Sequence, residues 1–326
     1  MMKQLLALVA LVASPSFALA DYRENPEAKL FMADMLKQSV ATSAQLDAWF
    51  SSANKQQSIL DAIARPAEKT KTWAEYSKIF LTTDRIDKGI AFWREHADTL
   101  AKAEAQYGVP ASIIVAIIGV ETRYGRNMGS YRVIDALSTL AFDYPPRAPF
   151  FRKELHNFIQ LVQEQKQDPL ALKGSYAGAM GYGQFMPSSF RNYAVDFDGD
   201  AIADIWANPT DAIGSVANYF AGHGWVKGGA VTARVRVAKD FDEALLNTTF
   251  KPDTSARDAQ QAGYTPVFEF EPEEMLTLYK LEGDSGAEFW AGANNYYVIT
   301  RYNHSRMYAL AVYQLSQLIE QKYQTK

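Results

Sequence analysis

Between residues 21 and 108, apolar side chains recur three and four positions apart, as in Leu30, Phe31, Met35 and Leu46, Phe50. This spacing predicts a run of amphipathic helices. Glycine is scarce there, and Pro66 is the only proline between Glu27 and Val109. Pro110 then opens a further helix, since a first-turn residue needs no amide hydrogen. That helix breaks the amphipathic pattern. Residues 113–120, Ile-Ile-Val-Ala-Ile-Ile-Gly-Val, are apolar on every side, so it is expected inside the protein, walled by other helices. Glu121 lies in its last turn, ahead of Tyr124-Gly125.

The segment GSYAGAMGYGQFMPSS at 174–189, with Gly174, Gly178, Gly181, Gly183 and Pro187, predicts a close-packed loop leading into short helices. An aspartate-rich turn and a helix around Asp211 to His223 follow. From Trp225 the period changes to two. Alternation at Val231, Ala233, Val235 and Val237, with Thr265 to Phe270, Met275 to Leu281 and Tyr296 to Thr300, predicts short strands of a small sheet. A final helix is expected from after Asn303 to about Lys322, with Met307, Leu310, Ala311, Leu315 and Leu318 on one face. The fold class is α+β, mainly α. The expected division is a leader (1–20), a helical region (21–108), a central core (109–224), a small β domain (225–300) and a C-terminal helix (301–326) packing back on the core.

With 48% hydrophobic and 21% charged residues, the 326-residue chain has material for a large core and is not a disordered polymer. The 33 basic side chains face 37 acidic ones, with no Lys/Arg-rich block, which argues against nucleic acid as a partner. Lys3, the apolar run Leu5 to Val12 and the ending Ala18-Leu19-Ala20 have the pattern of a secretory signal peptide. No stretch reaches the roughly 18 to 20 apolar residues of a membrane span. Without cysteine there is no disulfide framework, thiolate zinc site or lipid-bearing cysteine. A free periplasmic monomer with no membrane anchor is expected.

Four histidines and no cysteine leave little room for a Cys-His dyad or catalytic zinc, and no G-x-S-x-G motif is present. Carboxylates are the better candidates. Glu121 follows eight residues without a polar side chain and sits at a helix C-terminus. Desolvation and the negative end of the helix dipole both favour its neutral form, the state a general acid needs. The competing reading pairs Glu121 with Arg123 or Arg126 as a structural ion pair.

Four motifs carry a resemblance: GVETRYG at 119–125, the 174–189 segment, the aspartate loop with DAIGSVANYF at 211–220, and VITRYNHS at 298–305. In this order they resemble the lytic murein transglycosylase B family of peptidoglycan-cleaving enzymes. The resemblance implies a lysozyme-like catalytic core flanked by a helical domain and a small β domain. It implies Glu121 as the lone catalytic acid/base, with Ser175, Tyr182, Gln184, Phe185, Tyr219, Tyr302 and Asn303 lining a glycan cleft. Tyr76 and Arg147 join that set on shorter motifs. Read alone, such aromatics are more often core residues.

Ordinary glycosidases use two carboxylates, about 5 to 5.5 Å apart for retention or about 6.5 to 9.5 Å for inversion. The motifs offer no second one. The resemblance accounts for this, because the substrate's own N-acetyl group and C6 hydroxyl replace nucleophile and water, giving a 1,6-anhydro product. Peptidoglycan strands are then the expected partner, with cell-wall synthesis proteins as further candidates.

Asp196, Asp198, Asp200 and Asp204 fall at positions 1, 3, 5 and 9 of an EF-hand-type calcium loop, with the Ile202 carbonyl at position 7. Gly199 and Ala201 depart from that pattern, and Ala207 replaces the closing glutamate, so Asp211 would close a longer loop. Structural calcium, with no organic cofactor, is the expectation; a solvated acidic turn is the alternative. Two rival functions stay open: a lysozyme-type hydrolase, and a non-catalytic glycan-binding protein.

Overall fold

The computed structural model describes residues 21–64, 71–268 and 270–325; the leader and Pro66 lie outside them. Six helices come first: α1 (Pro26–Lys37), α2 (Ser43–Ser52), α3 (Gln57–Ile63), α4 (Trp73–Phe80), α5 (Thr83–Glu95) and α6 (Ala97–Tyr107). Local chemistry sets several of their ends. Thr42 with Gln45 and Thr72 with Glu75 form capping boxes at α2 and α4, and Gly108, at φ 72°, stops α6.

The apolar helix α7 (Ala111–Thr122) runs through the interior, with Ile114, Val115, Ala116, Ile117 and Ile118 fully buried. Each large side chain there contributes roughly 1.5–3 kcal/mol by leaving water. Around α7 pack α5, α6, α11 (Pro209–Gly222) and α14 (Arg306–Gln324). The remaining helices are α8 (Val133–Asp143), α9 (Ala148–Glu164), α10 (Pro187–Tyr193), α12 (Ala256–Gln261) and α13 (Asn294–Tyr302). Helices α8 and α9 pack on each other across the short 3-10 turn Pro145–Arg147, and α10 packs on α9.

Strands β1 (Tyr131–Arg132) and β2 (Lys173–Gly174) form a two-stranded ribbon. Strands β3 (Thr232–Val237), β4 (Thr254–Ser255), β5 (Tyr264–Pro266), β6 (Met275–Gly283) and β7 (Gly286–Gly292) form an antiparallel sheet in the order β4-β6-β7-β3-β5. Its register pairs Leu278 with Ala291 and Val235 with Phe289. Val235, Tyr264, Leu276, Leu278 and Ala291 give the sheet its own small core. The Tyr279 ring stacks on Tyr296 of α13 at 4.7 Å and joins the sheet to the helical body.

Several expectations need correction. The stretch Tyr296 to Thr300 is not a strand but the middle of α13, so the sheet ends at Gly292. A short, mostly buried run of aromatic and β-branched residues reads the same in either state, and the buried Asn295 anchors this one by bonding Val226 N, Val226 O and Gly229 O. Strand β7, with its small residues, is not visible from periodicity, and among the described residues of the 265–270 segment Thr265 and Pro266 alone lie in a strand, β5, which begins at Tyr264. Leu30 and Leu318, read as parts of apolar faces, are exposed.

Candidate active site

Glu121 occupies the last turn of α7 and is half-buried, directly after the buried apolar run of the helix. Beyond it the chain takes three consecutive left-handed residues: Arg123 (φ 51°), Tyr124 (φ 61°) and Gly125 (φ 79°). Two non-glycine residues in this region cost about 1–3 kcal/mol each and persist only where surroundings hold them. Here the Tyr124 hydroxyl donates to Arg85 O at 2.9 Å, and Thr122 Oγ1 donates to Tyr182 O at 2.9 Å while accepting from Gly125 N. The end of the acid-bearing helix is thereby tied to the glycine-rich segment. A side chain at Gly125 would collide with the Tyr182 ring.

One polar partner of Glu121 is Tyr308, in the first turn of α14, whose hydroxyl donates to Glu121 Oε1 at 2.5 Å. Burial first, and then the negative charge of Glu121, push the Tyr308 and Tyr302 hydroxyls well above the usual phenol range. Both therefore keep their protons beside the carboxylate. Arg123 and Arg126, the alternative partners read from sequence, direct their charge at Asp84, whose carboxyl is lowered chiefly by Lys88 and further by these two arginines.

Phe185, Tyr219 and Tyr302 are brought together as one ring cluster, with centroids 4.7 to 6.0 Å apart. The Tyr219 hydroxyl donates to Arg301 O and that of Tyr302 to Gly183 O, both at 2.6 Å. Their polar ends are thus committed inside the protein, and Phe185 and Tyr219 are buried. These rings build the wall that supports the site, and part of the core reading of these aromatics holds.

In the glycine segment, Ser175 Oγ accepts from Ala177 N and Ala179 N. Both contacts use its oxygen, which leaves the hydroxyl proton to donate. Gln184, at φ 50°, donates to Met128 O and Gly181 O and so holds the loop closed. Tyr182 is half-buried and Asn303 caps α13, its carbonyl accepting from Ser305 N at 2.7 Å. Tyr76 is buried in α4 against Phe80 and adds to the electrostatic surroundings of Tyr308. Arg147 is exposed, with its guanidinium over Phe150 at 4.4 Å and Phe151 at 5.2 Å.

Tyr308 escaped the sequence reading. It lies among the apolar positions of the final helix, where a lone phenol is the one available sign of a polar task.

In the acidic loop, carboxylate oxygens of Asp196, Asp198, Asp200 and Asp211 all lie within 4.8 Å of one another. Ala201 adopts φ 74°, the left-handed turn for which an EF-hand uses glycine, so the departure read from sequence is absorbed by the backbone. Asp211, in the first turn of α11, is fully buried and accepts from Phe197 N at 2.7 Å and Asp204 N at 2.8 Å. Burial pushes its carboxyl above the ordinary range against those two bonds, and the Asp198 charge adds to the rise. Asp204 lies outside the group and instead accepts from Trp206 N and Ala207 N. Ile202 is exposed, its N–H donating to Asp200. A hard-oxygen donor set of this kind fits a large divalent cation.

The transglycosylase SLT domain family matches residues 23–317. The chain is 44% identical to membrane-bound lytic murein transglycosylase B of Escherichia coli (strain K12) over 308 residues, covering 92% of this chain and 84% of that protein. Among solved structures, the soluble lytic transglycosylase SltB1 of Pseudomonas aeruginosa is 52% identical and superposes with a TM-score of 0.87, over 91% of this chain and 99% of that one. The Escherichia coli lytic transglycosylase Slt35 in complex with calcium is 43% identical, with a TM-score of 0.85 over 93% and 96% of the two chains.

Proposed function

Because the chain belongs to the transglycosylase SLT family, whose lytic murein members cleave peptidoglycan, we propose that Glu121 alone performs the acid and base steps of that cleavage. One observation supports this reading: the Tyr308 hydroxyl donates to the carboxylate of Glu121 at the end of an apolar helix.

In the proposed sequence the Glu121 carboxyl gives its proton to the oxygen that links N-acetylmuramic acid to N-acetylglucosamine, and the bond from that oxygen to muramoyl C1 breaks. The muramoyl N-acetyl oxygen stabilises the positive charge at C1. Glu121, now a carboxylate, takes the proton of the C6 hydroxyl as that oxygen bonds C1. A 1,6-anhydro ring results, Glu121 regains its proton, and no water enters. Tyr308 holds the carboxylate in place through both steps, and Ser175 offers its proton to the substrate amide. Tyr182, Gln184, Phe185, Tyr219, Tyr302 and Asn303 form the cleft wall, with Tyr76 and Arg147 at its edges.

Calcium would be held by Asp196, Asp198, Asp200, the Ile202 carbonyl and Asp211, where it offsets converging negative charge and braces α11 behind Tyr219. The calcium complex of Slt35 supports this assignment. The leader pattern at 1–20 supports export to the periplasm, where the protein would act as a monomer alongside the cell-wall synthesis proteins.

Borohydride treatment of the digestion products tests the reading. A 1,6-anhydro end has no reducing carbonyl and stays unchanged; reducible ends would assign the protein to the hydrolases.

A further inference from the structure

The β5 edge of the small sheet opens into a groove of about 670 Å³, lined by Arg257 and Gln260 of α12 and by residues 265–268 and 270–272. None of these residues belongs to the set assigned to the glycan cleft. The floor is built and the rim is bare. Phe270 packs against the core of the sheet, and the Phe268 ring lies 4.7 Å from it, yet Phe268 is 41% and Val267 58% exposed. Adjacent large apolar side chains left in water mark a contact surface.

The strand beside the groove is closed to pairing. Val267 N donates to Arg234 O at 2.9 Å, so the alternation of the strand turns the preceding residue, Pro266, away from β3, and proline has no N–H to give. An added β-strand would meet a missing donor there. The groove is left to recognise side chains.

Charge selects among them. Residues 239–274 hold nine acidic and three basic side chains, an excess larger than the −4 of the whole chain, so the remainder is net positive. Arg257, the one cation in the lining, is paired with Glu273 at 2.5 Å. Glu271 in the lining, with Asp258 and Glu274 close by in the chain, forms no ion pair among the described residues. Asp240, Asp242 and Glu243 are exposed on a loop held to the same edge, where Asp242 N donates to Ala262 O and the Tyr264 hydroxyl donates to Asp242 O. A negative field around an apolar floor suits a cation with an apolar neighbour. A groove of this size admits a few side chains, well short of the ~800 Å² that a folded partner covers.

We propose that this groove docks a short, lysine- or arginine-rich segment of a partner protein, with an apolar residue seated on Phe268 and Phe270 and its cations facing Glu271 and the surrounding acids. Such a contact recruits the enzyme without occupying the residues assigned to the cleft.

Fluorescence anisotropy of the full chain with three labelled synthetic peptides tests this, each peptide being four repeats of Arg-Leu-Pro, Glu-Leu-Pro or Arg-Ser-Pro. The Arg-Leu-Pro peptide should bind at least about tenfold more tightly than either control, and added salt should weaken it. Phe268→Ser and Glu271→Lys should each remove that preference, while both proteins cleave peptidoglycan at the wild-type rate and so are folded. Glu24→Lys, a matching charge change far off in the sequence, should keep it. Equal binding of the three peptides, a groove variant that retains the preference, or its loss in Glu24→Lys overturns the proposal. So does displacement of the peptide by soluble disaccharide fragments of peptidoglycan, which assigns the groove to sugar, or wild-type self-association that Phe268→Ser abolishes, which assigns it to a second copy.

Discussion

The Tyr308 hydroxyl donates to Glu121 Oε1 at 2.5 Å, joining residues 187 positions apart in the chain. The bond fixes the rotamer of the candidate acid from a different helix, so the acid is oriented before substrate arrives. Tyr308→Phe removes that bond and little volume. A hydrogen bond to a charged group is worth ~1.5–3 kcal/mol, so kcat should fall about ten- to hundredfold with KM nearly constant. An unchanged kcat would show that orientation of Glu121 does not depend on this phenol.

Gly125 sits where a left-handed backbone meets the Tyr182 ring. Gly125→Ala adds both backbone strain and overpacking, together ~2–4 kcal/mol. Urea unfolding should show a lowered midpoint at unchanged m, their product falling by that amount, with activity lost through displacement of Tyr182. A wild-type midpoint would mean that the ring yields at no cost.

His223 is stacked on Tyr219 at 4.0 Å, its Nδ1 2.7 Å from Tyr219 O. Burial lowers its pKa below the ordinary 6.5, against the opposing pull of that carbonyl. As pH falls from 6.5 the unfolded chain takes up this proton before the folded one does. The stabilisation is therefore present above the ordinary histidine value and is lost as pH drops through the lowered one. The melting temperature should decline over that window, and His223→Gln should flatten the decline measurably, with the share due to the likewise lowered His96 and His156 left in place. Parallel curves for wild type and variant would contradict this.

Calcium added to chelator-treated protein should raise the melting temperature. Saturation at about a hundred times Kd corresponds to ~2.7 kcal/mol, a shift of several degrees. Asp211→Asn should abolish the calcium response. A melting curve that ignores calcium would leave the loop as a solvated acidic turn.

How much of this was legible follows from the reach of each signal. Glu121 stood out because a carboxyl after eight apolar residues is local information, and the 1-3-5 aspartates lie within one turn of chain. The helix α7 was readable for the same reason. Tyr308 was hidden because its partner is remote and its own surroundings are an apolar helix face. The fate of Tyr219 and Tyr302 was half legible: the rings do cluster, but their hydroxyls are spent on Arg301 and Gly183 carbonyls, which no spacing reveals. The Tyr296 to Thr300 segment misled because its five residues are too few to separate a period of two from one of 3.6, and burial by neighbours decided it.

The central claim is that one carboxyl suffices because the sugar's own hydroxyl replaces water. Mass spectrometry of muropeptides released from purified peptidoglycan tests it most directly, with Glu121→Gln as the control. The account predicts products lighter by one water than those of a hydrolase, and no release by a folded Glu121→Gln variant; full-mass products, or release by that variant, would contradict it.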